Sequence, residues 1–184
     1  MENKTAENEK TEESRWWCIR VTYNRELKVK AELETLGIRY FLPMIYQESI
    51  IKGRKVKKLV PAIHNLIFIH CTKSEMIDYK ERTALPVRYI MNKETRRPEI
   101  IPDRQMENFI AVAGNYDEQI VYLDYDTAIL KRGERVRITG GIFSGVEGEF
   151  VRIAGDRRVV VTIRGIAAIA TAFIHPSLIQ KLDK

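Results

Sequence analysis

The residues of this chain able to do chemistry fall into a glycine-rich stretch, a carboxylate pair, scattered cysteines and histidines, and a run of basic side chains. The glycine-rich stretch is Lys131 to Ile153, KRGERVRITGGIFSGVEGEFVRI. Glycines this dense invite a phosphate-binding reading. That chemistry needs a strand, a glycine turn and then a helix whose free N–H groups aim at the anion. Here strand-like sequence follows Gly148, and no Lys-Ser or Lys-Thr pair closes the turn. The stretch therefore reads as two strands: Val136 and Ile138 alternate with charged neighbours, and Val146, Phe150 and Ile153 begin a second apolar series. Gly141, Gly145 and Gly148 fall where the reversing chain needs positive φ or a close backbone approach.

Asp124 and Asp126 have the spacing of a carboxylate pair. They lie in a stretch without an apolar pocket to separate their pKa values, so solvated side chains are expected. Cys18 and Cys71 sit far apart among apolar neighbours and read as buried free thiols. With only His64, His70 and His175 to help, no zinc-ligand spacing results. No nucleophile with its base, metal set or tuned acid pair can be assembled, so neither enzymatic activity nor a cofactor is expected. What remains is Lys52, Arg54, Lys55, Lys57 and Lys58, a basic cluster with no acid inside it. It reads either as a solvated edge that discourages strand pairing or as a hand for nucleic-acid phosphate.

The elements that must position these residues follow from the apolar pattern. The chain has 184 residues, 45% of them hydrophobic, enough for one domain or two small ones. No apolar run is long enough to cross a bilayer, and the polar, acidic start lacks a signal-peptide core, so a cytoplasmic protein without membrane contact is expected. Residues 1–14 carry two lysines against five glutamates and almost nothing apolar, which predicts a disordered tail. From residue 131 onward ten basic side chains face five acidic ones, the most basic part for its length, and the whole chain carries +6. Such a charge favours polyanions but also keeps a small domain soluble.

Trp16, Trp17, Cys18, Ile19 and Val21 predict a dense first strand. Asn24 offers an N-cap to an amphipathic helix carrying Leu27, Val29, Ala31, Leu33 and Leu36, with Gly37 at its end. A second strand follows at IRYFLPMI, then a hairpin turning at Lys52 and Gly53, then a long buried strand through Leu66, Phe68 and His70. A short helix over Lys73 to Arg82, a strand at VRYIMN and a helix from Pro102 to Val112 complete residues 15–112. That order predicts an antiparallel sheet covered mainly on one face by helices. Residues 113–130 read as a linker with some extended structure. Residues 131–184 hold about five short strands, the size of a small barrel. The run AAIATA also tolerates helix, but Val159, Val160, Val161 and Ile163 favour strand.

Gly133, Val136, Ile138, Gly141, Phe143, Gly145 and Gly148 together resemble the KOW motif, found in ribosomal proteins and in transcription elongation factors. The module order, with WWCIR as an opening strand, FLPMI as the next and IHNLIFI as the third, resembles the NusG family: an N-terminal NGN domain, a linker and a KOW barrel. FLPMIYQESIIKGRK is similar to the RfaH-like paralogues, and the whole chain to the UpxY-type antiterminators of capsular polysaccharide operons. The resemblance implies an α+β NGN domain followed by an all-β KOW barrel, acting as an elongation or antitermination regulator. A KOW-containing RNA-binding ribosomal protein is the alternative. By matched position, Ile63, Leu66, Phe68, Tyr89 and Ile90 would meet the clamp helices of RNA polymerase. Arg25, Lys28 and Lys30, with the hairpin cluster, would approach upstream or non-template DNA, with nascent RNA a further candidate. The KOW domain would take a ribosomal protein or termination factor. His64 departs from the family's proline, and Asp78, Tyr79, Lys80 and Glu81 occupy the region of the RfaH His-Thr-Thr-Thr run, so the second contact across the polymerase cleft is unassigned.

Overall fold

A computed structural model of the chain describes residues 12–130 and 133–183. Most of the expected N-terminal tail lies outside the described residues. At its described end Glu13 pairs with Arg15 at 2.7 Å, and the Glu12 carboxylate accepts the Ser74 backbone N–H at 3.2 Å.

In chain order the first part comprises β1 (Arg15–Val21), α1 (Glu26–Thr35), β2 (Arg39–Phe41), β3 (Met44–Ile51), β4 (Arg54–Pro61), β5 (Leu66–Cys71), α2 (Lys73–Arg82), β6 (Val87–Tyr89), β7 (Ile100–Ile101) and α3 (Asp103–Ala113). Local chemistry sets the helix ends. α2 opens on a capping box: the Thr72 hydroxyl accepts the Glu75 N–H at 3.2 Å while the Glu75 carboxylate accepts the Thr72 N–H at 2.8 Å. α1 closes at Gly37, whose φ of 68° allows the Ile38 N–H to reach the Leu33 carbonyl at 3.0 Å. Its start differs from expectation. Asn24 is in the left-handed region, and Arg25 stands at the N-cap with no side-chain cap bond. Only Val29 and Leu33 of the predicted apolar stripe are buried, because the helix meets the sheet along a narrow line; Leu27 and Leu36 stay exposed.

The first sheet has the antiparallel order β2-β5-β1-β6, with β7 also on β1. Strand alternation divides its side chains. Trp17, Ile19, Val21, Ile67 and Ile69 pack with Val29 and Leu33 of α1 and Met76 and Tyr79 of α2. Trp16, Cys18, Leu66 and Phe68 turn the other way and meet Met106, Phe109 and Val112 of α3. Coverage mainly on one face therefore does not hold: α3 takes the second face, since the apolar alternation of β1 and β5 leaves neither side polar. β3 and β4 form a separate two-stranded sheet. Lys52 and Gly53 join them with φ of 49° and 75°, the turn whose twist suits a hairpin.

The second part holds β8 (Val121–Leu123), α4 (Tyr125–Leu130), β9 (Glu134–Ile138), β10 (Glu147–Ile153), β11 (Asp156–Ile163), β12 (Ala167–Ala170), a 3-10 turn (Pro176–Leu178) and β13 (Ile179–Lys181). The strands form one antiparallel sheet in the order β13-β9-β10-β11-β12-β8, with β13 and β8 at its edges. The segment read as a linker thus contributes an edge strand, pairing Leu123 with Ala168, and a short helix whose Ala128 packs on Val151, Ile153 and Val160. The alanine-rich run is the buried strand β12, because its partner β11 is β-branched throughout the ladder.

Candidate functional site

The face predicted to dock a partner is built where β5 crosses under α3. Phe68 is fully buried, its ring 5.6 Å from Phe109 and tilted by 58°, and Phe109 meets Phe41 edge-on at 6.3 Å. Leu66 retains 8% exposure. Beyond α3 lie Val136, Ile138, Phe143, Val159, Val161, Ile163 and Ile169, which belong to the same apolar cluster. The first sheet and the second therefore share one core through α3.

Polar contacts fix that junction. The Glu147 carboxylate accepts from Arg137 of β9 at 2.6 Å and from Arg104 of α3 at 2.9 Å, with only 12% of its side chain exposed. The Arg137 guanidinium, then that of Arg104, holds the Glu147 carboxyl below the usual carboxylate range. Glu147 also donates its backbone N–H to the buried Asn108 side chain at 3.1 Å, and the Arg164 N–H reaches the Gln105 side-chain oxygen at 3.1 Å. Buried Arg158 ties the chain after α3 to the second sheet by donating to the carbonyls of Gln119 and Thr171.

The predicted docking residues do not all meet. Leu66 and Phe68 lie beneath α3; Ile63 and Ile90 sit half-buried at the margin, lining a cleft of about 520 Å³ with Leu123, Arg164 and Ile166. Tyr89 is on the opposite face. It packs with the α1–α2 cluster, donates to the Met76 carbonyl at 3.4 Å and carries the Lys80 ammonium 4.5 Å above its ring. The reason is strand alternation: consecutive residues 89 and 90 point to opposite sides.

The basic residues are spread over α1 and the hairpin. Arg25 lies 5.6 Å over the Tyr23 ring, Lys28 is exposed, and Lys30 pairs with Glu34 at 3.5 Å. Lys52, Arg54, Lys55, Lys57 and Lys58 are all exposed. Cross-strand register puts Lys55 and Lys57 on one hairpin face opposite Ile50 and Glu48, and Arg54 and Lys58 on the other opposite Ile51 and Gln47. One acid of the facing strand and one from a distant segment reach the first pair. Lys55 lies 3.9 Å from Glu48, and Lys57 donates to Glu118, which pushes the Lys57 ammonium's pKa up.

The glycine-rich stretch forms β9, a turn and β10. Val136, Ile138 and Phe143 are buried in the shared core; Gly133 and Gly148 lie beside the neighbouring strands, and Gly141 and Gly145 take φ of 77° and 87° in the turn. Cys18 and Cys71 are buried free thiols, with burial pushing Cys71 up to about 12 and Cys18 up as well, which leaves both unreactive. Two roles escaped the sequence reading. Asp124 is exposed but caps α4, accepting the Thr127 N–H at 3.0 Å and hydroxyl at 3.1 Å; its Asp-x-x-Thr spacing was the available signal. Glu26, buried to 2% exposure, accepts the Asn65 N–H at 2.6 Å and fixes the loop before β5; nothing local distinguished it from a surface acid.

The family model described as transcription termination factor nusG matches residues 14–110, from the start of β1 into α3. The chain belongs to the NusG family. NusG-family proteins are transcription elongation and antitermination factors; they bind RNA polymerase and are not enzymes. Among solved structures, one titled as domain interaction in Thermotoga maritima NusG is 21% identical, covering 93% of this chain and 98% of that one at a TM-score of 0.47. No curated protein matches. No helix among the described residues is long and apolar enough to cross a membrane.

Proposed function

We propose that this NusG-family chain is a specialised, RfaH-like or UpxY-type antitermination factor that suppresses pausing or termination on particular operons, capsular polysaccharide operons by resemblance. Its first module docks on the clamp helices of RNA polymerase through the apolar margin of Ile63 and Ile90, which the second sheet borders at Arg164 and Ile166. Leu66 and Phe68 drop out because α3, a helix of the same module, covers them. Tyr89 drops out of this set because it faces α2. The second module is read as the KOW domain, which takes a ribosomal protein or termination factor once free. Arg25, Lys28, Lys30 and the hairpin cations approach upstream or non-template DNA through phosphate contacts that position without specifying sequence.

One observation carries the reading: the apolar face of β5 and α3 is completed by a separate sheet whose contacts include charged and amide pairs at Arg104, Asn108 and Glu147. Interfaces between modules of one chain resemble transient interfaces, more polar than obligate ones, and polar pairs of this kind are the contacts that let modules move apart. The second module therefore masks the docking face, and polymerase binding requires its displacement. Arg104→Glu sets like charges together at Glu147 without touching the first module's core. Binding of a purified polymerase clamp coiled coil should tighten by about tenfold, the effect of removing ~1.4 kcal/mol of masking. No binding by either the original chain or the variant removes the docking reading.

A further inference from the structure

Between the hairpin and the loop that follows α3 lies a cavity of about 230 Å³, apart from the face assigned to polymerase. Its chemistry opposes that of its surroundings. The hairpin is basic, yet the cavity is lined by three carboxylates, Glu48, Asp117 and Glu118, against one cation, Lys57, together with the rings of Tyr46, Tyr116 and Tyr122. The Tyr46 and Tyr116 rings stand 6.3 Å apart at 65°, and the two residues are 48% and 44% exposed, so their faces are partly open to a ligand. Tyr122 is half-buried, and burial pushes its hydroxyl's pKa up, so it remains a neutral phenol. Tyr116 holds its place with φ at 51°, a conformation a bulky residue rarely adopts.

The carboxylates are unequally satisfied. Glu118 is taken by Lys57, and Glu48 has Lys55 at 3.9 Å. Asp117 accepts the Gln119 N–H at 2.8 Å and has no salt-bridge partner among the described residues. Aromatic faces attract cations through their quadrupole, and a spare carboxylate beside them supplies the opposing charge. The same acids repel phosphate. A planar guanidinium suits this combination better than an ammonium, since it can stack on a ring while its fork meets the carboxylate. The volume lies below the ~300–1,000 Å³ of small-molecule pockets and suits one inserted side chain.

We propose that this cavity receives an arginine side chain from a partner polypeptide, stacked on the open face of one ring of the edge-to-face Tyr46–Tyr116 pair, with Asp117 as the counter-charge. Lys57 acts as an internal competitor, because it neutralises Glu118 at the rim. The site is independent of the polymerase-docking reading.

The test uses the full isotope-labelled chain and a blocked Gly-Arg-Gly peptide, followed through the tyrosine ring signals, with the citrulline peptide as the neutral isostere. The arginine peptide should shift Tyr46 and Tyr116, and the citrulline peptide should bind at least tenfold more weakly. Tyr116→Asn keeps a residue tolerant of the left-handed backbone while removing the ring, and should weaken binding by about two- to fivefold. Lys57→Met should strengthen it. Thermal melts check that both variants fold. Equal binding of citrulline, weakening by Lys57→Met, or ring shifts produced by a single-stranded oligonucleotide and not by the arginine peptide would each overturn the proposal.

Discussion

Gly148 shows how a single missing side chain holds the second sheet together. A Cβ at this position would lie 2.3 Å from the Val160 carbonyl oxygen and 2.8 Å from a Val159 methyl, and the backbone oxygen cannot rotate away. Gly148→Ala should cost at least ~1–3 kcal/mol, the usual range for overpacking, and lower the melting temperature by several degrees. Gly145 makes the contrast. Its φ of 87° is the constraint, with no atom within 4 Å of the missing Cβ, so Gly145→Asn should be tolerated better in the same melting experiment. Both glycines were conspicuous in the sequence; which one needed space and which needed conformation was not. That distinction depends on how closely β11 passes β10.

The hairpin of β3 and β4 separates its cations by face, and the faces are not equivalent. Arg54 and Lys58 share the side with no salt-bridge partner among the described residues, whereas Lys57 is engaged with Glu118. If the hairpin meets DNA phosphate, each contact contributes about 0.9 to the slope of log affinity against log salt. Arg54→Gln combined with Lys58→Gln should reduce that slope by about two contacts' worth, while Lys57→Gln should leave it nearly unchanged. Duplex-DNA anisotropy titrations at several salt concentrations check this. A larger effect from Lys57→Gln would show that its pairing with Glu118 breaks on the DNA. The basic run was legible as a run, but its partial neutralisation was not, because Glu118 lies 61 residues away in sequence.

Across the whole molecule, the junction between the sheets is tied to the ionisation of Glu147. Its folded carboxyl is held below the ordinary range by Arg137 and Arg104. The sign follows: the stabilisation is complete above the unfolded carboxylate pKa of about 4.3 and is lost as pH falls through the depressed folded value. Hydrogen-exchange protection factors, taken relative to the intrinsic rate at each pH, at α3 and at the turn between β11 and β12 should therefore be steady from neutral pH down to that range, then fall on further acidification. Arg104→Glu should show the lowered protection already at neutral pH. Equal protection in the two chains would mean that the apolar contacts alone hold the modules together.

The sequence by itself determined the family and most of the elements, though not β8 and α4 in the stretch that reads as a linker. Alternation in β1 and β5, the capping residues of α2, the Lys-Gly hairpin turn and the β-branched run of β11 are local signals, and each acts over a few residues. It also excluded a phosphate loop, because the residues after Gly148 continue as strand. Only the tertiary structure decided which of those surfaces remain available. Phe68 under Phe109, Tyr89 turned toward α2, Lys57 held by Glu118 and the second sheet laid against α3 all arise from contacts between distant segments. An apolar residue on a strand has the same local pattern whether its face meets a helix, another sheet or a partner, since burial is set by what the rest of the chain brings to it.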